Sequence, residues 1–128
     1  MSFLLDTHAF LWFVAGDSQL PASIRSKIED ISQPCFLSSA SLWEITIKQQ
    51  IGKLTLAISL QELFDYIDRN QIEIIQINYE HLLFLSGLPA YHSDPFDRLI
   101  IAQAIAEDLI LVTKDKALKK YKVKQQWK

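Results

Sequence analysis

Four acidic residues stand where carboxylates could be gathered into one site. Asp6 directly follows a buried-looking Phe3-Leu4-Leu5 run, Glu44 follows Ser41-Leu42-Trp43, Asp97 follows Asp94-Pro95-Phe96, and Asp115 follows Leu111-Val112-Thr113-Lys114. Carboxylates offer hard oxygen donors, so a pocket of them suits Mg²⁺ or Mn²⁺ better than histidine or cysteine would. Each acid also has a structural reading. Ser41-Leu-Trp-Glu44 has the form of a capping box, with Glu44 four residues ahead of Lys48. Asp94-Pro95-Phe96-Asp97 has the form of an N-cap, a first-turn proline and an acid favoured by the helix dipole. Taken singly, Glu44 and Asp97 read as helix-start residues and Asp115 as a turn residue. Asp6 resists that reading, because an acid after two buried leucines loses its hydration and needs a partner.

The elements around these acids determine whether they can meet. Residues 3–6 and 35–37 read as short buried strands, 72–77 as a β-branched strand and 109–113 as a fourth. Between them the pattern gives helices over 7–15, with Gly16-Asp17 as the stop, and around Ile24, Ile28 and Ile31 after Pro21. Further helices are expected from about Ser41 to Ile51 with Gly52 as cap, over 59–70 behind a Ser59/Glu62 capping box, over 79–87 with Leu82, Leu83 and Leu85 supplying apolar surface, and from Asp94-Pro95 to about Glu107. The lysine-rich tail is expected to hold a short helix and an edge strand near Val123. Strands alternating with helices predict one α/β domain, residues 1–128, with a mainly parallel sheet of four or five strands covered on both faces. In such sheets ligands bind beyond the carboxyl ends of strands, where the strand order reverses. Asp6, Asp115 and Glu44 belong at that edge, and Asp97 can point at the same crevice.

Composition narrows the setting. The 128 residues are 49% hydrophobic and 22% charged, enough for one real core. Apolar stretches such as Phe10–Ala15 and Leu99–Ile101 are far shorter than the roughly 18 residues of a membrane span. No basic, apolar and small-residue succession marks a secretory signal, and the single cysteine, Cys35, cannot form an internal disulfide; a cytoplasmic protein with a buried structural thiol is expected. The net charge of −2 hides an asymmetry: residues 1–113 hold 14 acids against 6 bases, whereas 114–128 hold seven lysines against Asp115 alone. Such a tail is either a solvated face or a track for phosphates.

The segments LLDTHAFLW, SLWEITIK, HSDPFDRLIIAQA and LILVTKD, in this order and spacing, resemble the four acidic motifs of PIN domains, and more narrowly those of VapC-type toxins of toxin–antitoxin pairs. The resemblance runs from Leu4 to Asp115 and implies a PIN-like, Rossmann-like fold. It implies a metal-dependent endoribonuclease whose Mg²⁺ or Mn²⁺ is held by Asp6, Glu44, Asp97 and Asp115. Asp6 and Asp97 would ligate the main ion, with Glu44 and Asp115 holding water or a second one. It also implies an RNA substrate, a cognate antitoxin that blocks the crevice with an extended or helical segment, and a homodimer. Asp94 is assigned to capping. Arg98, Lys114, Lys116 and His92 are the expected contacts to substrate, whereas His8 and His81 are expected to be structural or surface residues. Trp12 and Trp43, on helices with apolar neighbours, read as core or interface residues rather than base-stacking platforms.

Two other enzyme classes fit less well. An aspartyl-nucleophile phosphatase wants a second Asp two residues after the first, where this chain has His8, and neither 35–37 nor 72–77 ends in the Asp a receiver module needs. A non-catalytic module that uses the same fold to bind RNA or protein remains as the alternative.

Overall fold

A computed structural model describes all residues, Met1–Lys128. Five strands, β1 (Phe3–Leu5), β2 (Cys35–Ser38), β3 (Glu73–Ile75), β4 (Ile110–Val112) and β5 (Gln125–Gln126), form one sheet in the order β3-β2-β1-β4-β5, with every pairing parallel. Six helices connect them: α1 (Thr7–Ala15), α2 (Ala22–Glu29), α3 (Ser39–Gln50), α4 (Leu60–Arg69), α5 (Tyr79–Ser86) and α6 (Pro95–Ala106), with a 3₁₀ turn over Lys116–Lys120.

The strands carry no polar alternation because both faces are covered. Phe3, Leu5, Cys35, Leu37 and Val112 point into one core, which Phe10 and Phe13 of α1, Ile24 and Ile28 of α2, Ile45 of α3 and Leu63 and Ile67 of α4 complete. Leu4 and Leu111 point the other way, onto Ile100, Ile101 and Ala104 of α6 with Leu118 and Tyr121 from the tail. Each fully buried Leu, Ile or Phe stabilises the fold by about 1.5–3 kcal/mol relative to exposure. Cys35 is buried in the first core, which pushes its thiol up to about 12 and keeps it protonated. No helix is long and apolar enough to cross a membrane.

α1 stops as expected, where Gly16 takes a left-handed φ of 65° and donates its N–H back to Phe13. Several other boundaries differ from expectation. α2 ends at Glu29 and leaves Ile31 69% exposed, so only Ile24 and Ile28 of the expected stripe are core. α3 starts earlier than Ser41, because the Ser38 hydroxyl, at the end of β2, accepts the Ala40 N–H and caps the helix directly from the strand. In α5, Leu82 and Leu83 face outward and His81 is the buried residue, bonded through Nε2 to Glu107 at 2.9 Å. The edge strand lies at Gln125–Gln126 rather than at Val123, which packs on the second core.

Candidate metal centre

The strand order reverses at β1, which lies between β2 and β4, so the crevice of this fold opens past the ends of β1 and β4. Asp6 sits there, 6% exposed. Its N–H extends the ladder to the Val112 carbonyl at 3.0 Å, and its Oδ1 caps α1 by accepting the Ala9 N–H at 2.8 Å. Burial pushes the Asp6 carboxyl up to about 6, against the pull of the Thr113 hydroxyl, the Ala9 N–H and the neighbouring His8, while the charge of Asp97 adds to the rise. Thr113 also accepts the Asp115 N–H at 3.1 Å, so the side chain that lowers the Asp6 carboxyl also holds the residue that opens the 3₁₀ turn. Asp115 itself is exposed and accepts the Ala117 N–H at 2.9 Å.

Glu44 comes from the second turn of α3 and is 3% exposed. It does not fold back to cap its helix. Its Oε1 accepts the Thr7 hydroxyl at 2.7 Å, with Ser41 Oγ 3.0 Å from Thr7 Oγ1, and its Oε2 is paired to Lys48 Nζ at 2.6 Å. The hydrogen bond to Glu44 holds the Lys48 ammonium above its usual range, with Asp94 and Asp97 adding to the effect. Lys48 is therefore a resident cation of the acidic region, legible in the sequence only as an i+4 partner. Its side chain is 39% exposed, so screening limits the pair. Lys48→Met is expected to cost about 1 kcal/mol in urea unfolding, because it leaves a buried carboxylate with one neutral donor. An unchanged midpoint would mean that Glu44 finds water instead.

Asp97 lies in the first turn of α6, behind the cap that Asp94 makes by accepting the Phe96 and Asp97 N–H groups at 2.8 and 3.1 Å. Burial raises the Asp97 carboxyl, the charges of Asp94 and Glu44 raise it further, and a hydrogen bond from His92 lowers it. His92 Nε2 stands 2.8 Å from Asp97 Oδ2. Ligand atoms of His92, Asp97 and Asp115 all lie within 4.8 Å of one another, spacing at which three donors can share one cation. Asp6 and Glu44 border this trio closely enough for their charges to act on, or be acted on by, Asp97. Of the four acids foreseen from the sequence, Asp97 and Asp115 come together, with His92, foreseen as a substrate contact, against Asp97; Asp6 and Glu44 lie outside that trio.

The expected basic partners divide. Lys114 and Lys116 are exposed beside Asp115, and Lys114 Nζ lies over the Trp12 ring at 5.6 Å. Arg98 instead gives its guanidinium to the Pro89 carbonyl at 2.9 Å and the Tyr121 hydroxyl at 3.2 Å, with longer bonds to the Leu88 and His92 carbonyls. Tyr121, 4% exposed, also accepts the His92 N–H at 2.9 Å. Arg98 and Tyr121 together hold the loop that delivers His92. Tyr121→Phe is expected to cost about 1 kcal/mol of stability by stranding two donors. The matching signature is faster amide exchange at His92, and unaltered exchange there would argue against the role given to Tyr121.

Beside Thr7 and Glu44 a groove of about 530 Å³ runs between α1, α3 and residues 53–58, with Leu11, Trp12, Leu54 and Leu56 in its walls. Thr7 and Thr113 are residues of the site that the sequence did not single out, whereas Lys48 pairs with Glu44 as its i+4 spacing suggested and Ser41, read as a capping residue, meets Thr7 instead. The signals of Thr7 and Thr113 were modest: a hydroxyl directly after Asp6 and a threonine at a strand end.

A five-stranded parallel α/β sheet with acidic side chains beyond the ends of β1 and β4 defines the class of fold. The family model described as PIN domain matches residues 3–124, and the chain belongs to the PIN-domain family. The structure of VapBC2 from Rickettsia felis bound to a promoter DNA fragment is similar, with a TM-score of 0.71, 20% identity and 98% of each chain covered. VapBC-1 from nontypeable Haemophilus influenzae gives a TM-score of 0.68 at 16% identity, covering 98% of this chain and 97% of that one. DNA-bound VapBC from Salmonella typhimurium gives 0.67 at 17%, with the same coverage. At these identities the likeness is one of fold. No curated protein matches the chain.

Proposed function

We propose that this PIN-domain protein is a metal-dependent endoribonuclease, the toxin of a VapBC-like toxin–antitoxin pair, acting in the cytoplasm on RNA phosphodiester bonds. The observation that carries the reading is the cluster of Asp97, Asp115 and His92 beside the end of β4, with Asp6 at the end of β1; burial raises the carboxyls of Asp6 and Asp97, and the charge of Asp97 adds to the rise at Asp6. Raised carboxyls that no neighbouring cation fully relieves fit a site that a divalent ion would settle. Asp6, Glu44, Asp97 and Asp115 would hold Mg²⁺ or Mn²⁺. When bound, such an ion supplies an activated water and stabilises charge on the phosphate and the leaving oxygen.

The chain's own groups have separate roles in this reading. Thr113 orients Asp6, Thr7 and Lys48 orient Glu44, and His92 orients Asp97. Lys114 and Lys116, exposed beside Asp115, would take substrate phosphates. Arg98 acts through the 88–92 loop in this reading, since its Nη1 donors are taken by the Pro89 and His92 carbonyls and the Tyr121 hydroxyl. The apolar groove that opens beside Glu44 supports an antitoxin segment as its occupant, apolar along most of its length and cationic where it reaches the acids. A homodimer belongs to the same reading, and the exposed Tyr79, Leu82 and Leu83 of α5 would suit its face.

The test is cleavage of end-labelled single-stranded and hairpin RNA by protein freed of any partner, with Mg²⁺, with Mn²⁺, with EDTA, and with metal restored after EDTA. Cleavage that appears only with metal and returns on restoration supports the reading. Protein that binds RNA but cuts none of these substrates favours the non-catalytic binding module.

A further inference from the structure

The three tryptophans are placed very differently. Trp12 is half-buried and surrounded: Lys114 lies over its ring, Trp127 meets it edge-on at 5.7 Å, and His8 lies 5.7 Å away. Trp43 is 60% exposed, which rules out the core role its apolar neighbours suggested. Its one aromatic neighbour is Phe96, 5.5 Å away and nearly perpendicular at 80°. A perpendicular contact occupies at most one face of the indole, so the remaining surface is free.

The two rings are also placed by chain geometry. Trp43 immediately precedes Glu44 on α3, and Phe96 immediately precedes Asp97 on α6. Their contact therefore bridges the two helices that carry Glu44 and Asp97 and forms an aromatic ledge one residue along each chain from those acids. An RNA strand whose phosphate lies at the carboxylates presents its neighbouring base to that ledge. Unpaired bases stack on exposed aromatic rings without regard to base identity, because every base has a π-face.

We propose that Trp43, backed by Phe96, is a stacking platform for one unpaired nucleobase beside the scissile phosphate. The proposal rests on the nuclease reading for its placement of the phosphate. It accounts for a large aromatic left open at the rim of a charged site, where burial between helices was available to α3's other apolar residues such as Ile45.

The test compares wild type, Trp43→Ala and Trp43→Phe in binding a fluorescein-labelled oligouridylate and an abasic ribose-phosphate strand of equal length. Polarisation is read with Ca²⁺ as the hard cation, and molar mass in solution is measured alongside. The expected result is that Trp43→Ala raises the Kd for oligouridylate about tenfold, Trp43→Phe recovers most of it, and the abasic strand binds wild type and Trp43→Ala alike. Equal Kd values for oligouridylate, or equal weakening for both strands, overturns the proposal. So does a change from dimer to monomer with unchanged affinity per protomer, which would place Trp43 between copies of the chain. If binding depends on Trp43 as expected while wild type cuts no RNA with Mg²⁺ or Mn²⁺, the platform stands and the nuclease reading fails.

Discussion

Asp97→Asn is expected to lower RNA cleavage by more than about 100-fold while leaving the metal-free protein at least as stable as wild type. The rate effect follows from the position of Asp97 in the trio with His92 and Asp115. Removing an outer partner of a metal ligand commonly costs 10–100-fold, so neutralising a direct ligand should cost more. The stability effect follows from the sign of the shift. The folded protein holds the Asp97 carboxyl above its ordinary value, so ionisation is harder folded than unfolded and stability falls as pH rises through that interval. Asparagine removes the charge and the penalty with it, and keeps an oxygen for His92. Circular dichroism melts in EDTA beside cleavage rates separate the two effects. A variant that loses activity only because it unfolds would contradict the assignment.

The stability gained by Asp6→Asn over wild type should depend on pH. The Asp6 carboxyl moves from 3.8 to about 6 on folding, so the folded state holds the proton more tightly. Below the unfolded value both states are protonated and the residue costs nothing. As pH rises from about 4 to 6 the cost grows, and above 6 it is complete, a shift worth roughly 3 kcal/mol at 1.36 kcal/mol per pKa unit. Asparagine can still accept the Ala9 N–H that Asp6 accepts, and asparagine caps helices as well as aspartate. The variant should therefore be more stable than wild type by about 1–3 kcal/mol at pH 7 without metal, and equal to it near pH 4. Saturating Mn²⁺ should narrow or reverse the gap, because a cation that binds only the folded state adds about 2.7 kcal/mol at 100 times its Kd. Urea unfolding across this pH range reads all three points. A difference that does not vary with pH would mean that Asp6 is not the buried ionising group described.

Much of this arrangement was legible in the amino-acid sequence. The alternation of short apolar runs with helical patterns gives the α/β class, and strands such as Phe3–Leu5 and Ile110–Val112 lack polar alternation because they are covered on both faces. Asp6 and Asp97 are placed by local rules, one at a strand end and one behind a capped, proline-started turn. What local rules do not contain is strand order. Thr113 can reach Asp6 only because β4 pairs with β1, a pairing between residues more than a hundred positions apart. Lys48 meets Glu44 through the i+4 spacing within α3, whereas Thr7 carries only an ordinary local signal, and the crossing of α1 and α3 turns it toward Glu44. The edge strand was expected two residues too early, near Val123, because two glutamines offer no β-branched or apolar pattern; they pair because the preceding turn delivers them to the edge of β4. Serines at 38, 39 and 41 made the start of α3 ambiguous, and the strand geometry of Ser38 decided it.

The most direct test of the central claim, a cation-dependent nuclease site built on Asp97 and its neighbours, is the initial rate of cleavage of a labelled single-stranded RNA as Mn²⁺ is titrated into wild type and Asp97→Asn purified identically. The account predicts a saturable rise from zero in wild type and a flat line near zero in the variant. Equal cleavage by both proteins, or cleavage by wild type that persists in EDTA, would contradict it.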